Sequence, residues 1–95
     1  MNQSQLVFRL HAIQRMVERG ITKADIRQVL ETGEVIESYP DDKPYPSRLI
    51  LGWMASRPLH VVVAEFVGTK DLIVVTVYEP DLVRWQPGFK QRRRV

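Results

Sequence analysis

His11 and Arg15 stand four residues apart, with Glu18 and Arg19 one turn further on, so on a helix their side chains stack along one face. An imidazole beside guanidinium groups suits phosphate chemistry: the ring exchanges a proton near neutral pH and the guanidinium holds the anion. The plainer alternative is an exposed helix face on which Glu18 pairs with Arg15. A second histidine, His60, interrupts the apolar run Leu59-His-Val-Val-Val-Ala64. A buried ring there needs a partner, either as a core histidine hydrogen-bonded to backbone or as a second proton-transfer group. Thr76 and Tyr78 share one face of a later apolar run that must stop at Glu79-Pro80. Tyr78 is either a rim residue or a donor to a phosphate and a platform for a base. Parity decides whether His60 and Tyr78 meet: barring a bulge, they face the same way only across a hairpin loop with an odd number of residues. A three-residue loop Gly68-Thr69-Lys70 satisfies this, whereas a four-residue loop ending at Asp71 places them on opposite faces.

The chain has no cysteine and only two histidines, which removes disulfide frameworks, thiolate metal sites and cysteine nucleophiles. A zinc site would need carboxylates in no recognisable spacing, so neither metal nor cofactor is expected. No Walker loop, dinucleotide fingerprint, nucleophile elbow or paired-carboxylate motif is present. The net charge of +3 hides an uneven distribution. Arg9, Arg15, Arg19 and Lys23 make the start basic, the middle is acidic, and Arg84, Lys90, Arg92, Arg93 and Arg94 close the chain without an acid. Basic ends that meet in the fold would form a nucleic-acid footprint; otherwise they are solvated. Around Arg84-Trp85 and Phe89-Lys90 the bases interleave with aromatics, which suits RNA stacking but equally anchors a tail on the core.

These residues need a scaffold, and 95 residues with 44% hydrophobic and 26% charged content describe one globular domain over residues 1–95, ending in a basic tail over 86–95. A domain this small has a thin stability margin, which leaves room for a homodimer or an obligate partner. Nothing resembles a signal peptide or a membrane span, so a soluble, cytoplasmic protein without membrane contact is expected. From Arg9 to Arg19, Leu10, Ala12, Ile13, Met16 and Val17 fall on one half of a helical wheel, and Gly20 stops the helix. Thr22 with Asp25 predicts a capping box opening a second helix, with Ile26, Val29 and Leu30 as its apolar stripe and Gly33 as a left-handed C-terminal residue. Four β-branched or aromatic runs follow at 35–39, 48–54, 59–67 and 72–78, the first two separated by a proline-rich loop. The expected fold is α+β, order ααββββ, an N-terminal αα-hairpin packed on a four-stranded antiparallel meander.

Several segments together resemble one bacterial family: His11-Ala-x-x-Arg15-Met16-x-x-Arg19-Gly20-Ile21, Gly33-Glu-Val-Ile36, Tyr39-Pro40, Pro44-Tyr-Pro46, Arg57-Pro-Leu-His60-Val-Val-Val-Ala64 and Thr76-Val-Tyr78. The resemblance, spanning His11 to about Trp85, is to domain of unknown function 4258. That family is in turn similar to the RelE, barnase and colicin type of ribonuclease toxin, which sets helices against an antiparallel sheet and cleaves RNA without metal. The resemblance implies a toxin of a toxin-antitoxin pair, an endoribonuclease acting by 2′-hydroxyl attack, with RNA or a ribosome as target and a small zinc-binding antitoxin as partner. On that expectation His11 or His60 transfers protons, Arg15 and Arg19 stabilise phosphorane charge, Tyr78 orients phosphate or base, and Arg19, Arg84, Lys90, Arg92, Arg93 and Arg94 hold RNA. The alternatives are a non-catalytic RNA- or protein-binding module and a toxin relic that has lost activity.

Overall fold

Two helices form where the sequence caps them. The first, α1 (Leu10–Arg19), ends at Gly20, whose φ of 68° is left-handed and whose N–H donates to the Met16 and Val17 carbonyls. The second, α2 (Lys23–Thr32), starts in a complete capping box: Thr22 Oγ1 accepts from the Asp25 N–H at 3.1 Å, and Asp25 Oδ2 accepts from the Thr22 N–H at 2.8 Å. Gly33 corrects its expectation, for its φ of −78° and ψ of 178° are extended rather than left-handed. Space is what it provides. A Cβ at Gly33 would press on the Val29 carbonyl and come within 2.7 Å of Ile50 Cγ2 and the Leu51 carbonyl. Gly33→Ala is therefore expected to cost about 1–3 kcal/mol, read as a lower urea midpoint at unchanged slope.

The computed structural model describes residues 5–94; residues 1–4 and 95, which belong to the expected leaderless start, single domain and tail, lie outside the described residues. The sheet holds five strands, not the four expected, in spatial order β1-β5-β4-β3-β2. They are β1 (Leu6–Phe8), β2 (Glu34–Tyr39), β3 (Ser47–Met54), β4 (Arg57–Glu65) and β5 (Leu72–Tyr78). Strands β2 to β5 form the expected antiparallel meander, while β1 precedes both helices and pairs parallel to β5 through Leu6–Leu72, Val7–Ile73 and Phe8–Val74. The helix pair covers one face of the sheet as expected, with α1 on β5 and α2 on β3. Among the described residues no helix is long and apolar enough to cross a membrane.

The core lies between the helices and one sheet face. Ala12, Met16, Ile26 and Val29 meet Ile50, Leu59, Val61, Val63, Val74 and Val77, each contributing up to about 1.5–3 kcal/mol for a large aliphatic group. Leu10, Ile13 and Val17 stay exposed although the wheel groups them with Ala12 and Met16. The helix lies on β5, next to the sheet's edge strand β1, and buries only the narrow stripe that points at the sheet.

The opposite face presents Leu49, Leu51 and His60, and the chain beyond β5 closes over it. Trp85, 2% exposed, stacks edge-on against His60 with ring centroids 4.4 Å apart, and Phe89 packs edge-on against Trp53 at 6.2 Å. The basic tail is thus fastened to the sheet by its aromatics.

Candidate active site

Because β1 pairs only with Leu72–Val74, the rest of the outer edge of β5 is left to α1. The turn is made at Arg9, whose N–H donates to the Val74 carbonyl at 3.1 Å before the helix begins. One face of α1 then borders a cleft of about 260 Å³ at the C-terminal end of β5, lined by His11, Arg15, Arg19, Thr76, Tyr78 and Arg84. Five residues singled out by type and spacing therefore converge, and the basic start of the chain meets the first base of its end. Among the described residues, Arg15, Arg19 and Arg84 take part in no ion pair, and Glu18 does not pair with Arg15. Three guanidinium groups without a carboxylate partner around one concavity have the chemistry to hold an anion.

The two acids at its rim are already engaged. Glu79 forms an ion pair with Arg57 at 3.0 Å, and Arg57 also donates to the Arg19 carbonyl at 3.1 Å, joining the end of α1 to the end of β5. Asp81 Oδ1 accepts from the Val83 and Arg84 N–H groups at 3.0 and 2.9 Å, building the turn that presents Arg84. Sequence reasoning missed both acids because neither belongs to a motif; their signal is only that each stands beside a base the fold brings close.

His60 fits the core-histidine alternative, a buried ring hydrogen-bonded to backbone. It is 0% exposed and does not line the cleft. Its Nε2 lies 2.8 Å from the Phe89 carbonyl, which can only accept, so Nε2 carries the proton. Nδ1 is then an acceptor, and the Tyr78 hydroxyl donates to it at 3.1 Å. Both ring nitrogens are committed, and the ring fixes Tyr78 so that its hydroxyl oxygen still has lone pairs to offer. The three-residue loop Gly68-Thr69-Lys70 does not form, yet His60 and Tyr78 still pair. Glu65 pairs with Leu72 across an even-numbered loop, Phe66–Asp71, and a bulge at Val75 restores the register so that His60 sits opposite Tyr78.

Burial holds the His60 pKa below its ordinary value and, with Arg92 opposing protonation, outweighs the Phe89 carbonyl that favours it. Burial likewise raises the Tyr78 hydroxyl. The unfolded chain therefore binds a proton at His60 more readily than the folded one. Stability from this residue is fully present above the unfolded pKa of about 6.5 and declines as pH falls through it, by at most about 1.4 kcal/mol per pH unit. The melting temperature should drop from pH 7 to pH 5, and the drop should be smaller in His60→Gln. The lowered pKa of Glu37 acts at lower pH and leaves that window clear.

Not every tail base reaches the cleft. Lys90 pairs with Glu34 at 3.0 Å, and Arg92 holds Glu37 with Nε–Oε2 at 2.9 Å while its guanidinium lies 4.6 Å from the Trp85 ring centre. Burial would raise the Glu37 carboxyl, but the hydrogen bonds from Arg92 and Tyr39 bring it below the ordinary range. Arg93 Nε donates to the Leu82 carbonyl at 2.6 Å. Of the six bases assigned to RNA binding, the fold gives Lys90, Arg92 and Arg93 partners within the chain, leaves the exposed Arg94 outside the cleft, and sets only Arg19 and Arg84 at it.

Among the described residues, no group of three or more His, Asp or Glu side chains is arranged to hold a metal ion. Comparison with known families matches residues 8–79 to the family model described as Domain of unknown function (DUF4258). That stretch contains His11, Arg15, Arg19, His60 and Tyr78 and ends before the segment that closes the second sheet face. Neither the curated proteins nor the solved structures give a match.

Proposed function

The chain belongs to the DUF4258 family, and from its cleft we propose that it is a metal-independent endoribonuclease, of the kind found as toxins beside small antitoxins and similar in fold to RelE. The supporting observation is the meeting of His11, Arg15, Arg19, Tyr78 and Arg84 at one cleft, where Glu79 is paired with Arg57 and Asp81 accepts from the Val83 and Arg84 N–H groups. The arginines take the scissile phosphate, and charge developing on its equatorial oxygens strengthens those contacts in the transition state. His11 moves the proton. The 2′-oxygen attacks the adjacent phosphorus, the bond to the 5′-oxygen breaks, and the proton lost by the 2′-hydroxyl ends on the departing 5′-oxygen, carried by His11 or exchanged through water. The products are a 2′,3′-cyclic phosphate and a 5′-hydroxyl. Tyr78 gives its only hydroxyl proton to His60, so it does not donate to the phosphate; its oxygen can accept from a ribose hydroxyl and its ring can stack on a base.

The test is incubation of purified protein with RNA in excess EDTA, with the new ends analysed chemically. Cyclic-phosphate and 5′-hydroxyl ends, together with an uncut substrate carrying 2′-deoxyribose at the cleavage site, are expected. Tight, salt-sensitive RNA binding without cleavage would replace the enzyme with a binding module.

A further inference from the structure

His11 has a second neighbourhood. It also lines a separate cavity of about 350 Å³, within the range of small-ligand sites, walled by Arg9, Asp42, Lys43, Tyr45 and Ser47 and floored by Ala64 and Val75. The wall comes from the proline-rich loop between β2 and β3. The loop is pinned at two points: the Asp42 N–H donates to the Tyr39 carbonyl at 3.2 Å, and Ser47, 6% exposed, donates its hydroxyl to Asp42 Oδ2 at 2.6 Å. Ser47 occupies one lone pair of Oδ2, so Oδ1 and the remaining lone pair of Oδ2 can both accept. Tyr45 is braced edge-on by Phe66, centroids 5.1 Å apart, which presets its ring beside the cavity.

We propose that this cavity receives the guanine base of a nucleotide whose phosphate lies in the neighbouring cleft. The inference rests on the ribonuclease reading of that cleft and names its substrate preference. His11 borders both spaces, as a residue between a phosphate and the base of the same nucleotide must. The chemistry of the wall selects the base. Guanine alone among the four presents two adjacent N–H donors, N1 and N2, on its pairing edge, and a carboxylate accepts both; its O6 beside them accepts from an ammonium, which Lys43 carries. Adenine and cytosine would turn a ring-nitrogen acceptor toward the carboxylate, and uracil offers one donor between two acceptors. Tyr45 adds a stacking surface, the usual means of holding an unpaired RNA base.

The decisive experiment is calorimetric titration of the purified chain with the 3′- and 5′-monophosphates of guanosine, adenosine, cytidine and uridine, and with inorganic phosphate. A guanosine monophosphate should bind about tenfold or more tightly than its counterparts, in line with one good two-point contact to a base edge. Asp42→Asn, which keeps an oxygen for Ser47, should remove that preference while phosphate binding is unchanged. Lys43→Ala, at an exposed position, should weaken guanosine binding selectively and covers the case in which the Asp42 variant is poorly folded. Equal affinity for all four nucleotides overturns the guanine inference and leaves the phosphate cleft intact. Failure of every nucleotide and of inorganic phosphate to bind removes both. Guanine preference that survives both substitutions also overturns the inference, by placing the base elsewhere.

Discussion

His11→Ala should slow RNA cleavage by roughly 10²–10⁴-fold, the range a positioned proton-transfer group supplies, and Arg15→Ala by roughly 10²–10³-fold. Both side chains are exposed on α1, and alanine is the best helix former, so neither change should disturb folding. Matched circular dichroism and melting curves are the control. The two losses should differ in kind. His11→Ala lowers kcat with KM nearly unchanged, whereas Arg15→Ala lowers kcat and raises KM, since a guanidinium binds phosphate in the ground state as well. His11 and Arg15 work on one phosphate, so the double variant should fall short of the product of the two effects. Arg19→Ala and Arg84→Ala, bordering the same cleft, should chiefly raise KM and reduce the salt dependence of RNA binding. Wild-type rates in folded His11→Ala would sink the mechanism.

What the sequence disclosed depended on the range of the interaction. Local signals held: the Thr22-Asp25 box, the Gly20 stop and the β-branched runs each lie within a few residues of what they determine. Strand β1 escaped because three residues, Leu6–Phe8, are too few to show a period, and only the distant β5 makes them a strand. The helix spacing of His11, Arg15 and Arg19 correctly put them on one face. Helical spacing could not reveal that β1 stops short on β5 and so lets that face border the strand end carrying Tyr78. His60 shows the same limit. Its need for a partner was legible from its apolar neighbours, but the partners are Tyr78, reached through a bulge at Val75, and Phe89, reached by the returning tail. Charge clustering could not show which tail bases the chain pairs internally, because Glu34 and Glu37, which engage Lys90 and Arg92, lie far away in sequence.

The tail makes Trp85→Ala the most damaging single change expected for stability. Trp85 is among the fully buried side chains, stacks on His60, carries Arg92 over its ring and forms a bridge with Arg92 through the backbone. Removing it leaves a cavity against a buried imidazole and should cost about 3–5 kcal/mol, set against a total of about 5–15 kcal/mol for a domain. The loss should appear as a lower denaturant midpoint. Trp53→Ala, at a site 47% exposed, should cost much less and serves as the control. The pH response separates a lost anchor from general damage. Once the tail lifts, His60 gains solvent and loses the Phe89 carbonyl; burial was the larger influence, so its pKa should return toward the ordinary value. The decline in stability from pH 7 to pH 5 should therefore shrink in folded Trp85→Ala, measured at a temperature where both proteins remain native. An unchanged decline would mean that the sheet, rather than the tail, keeps His60 dry.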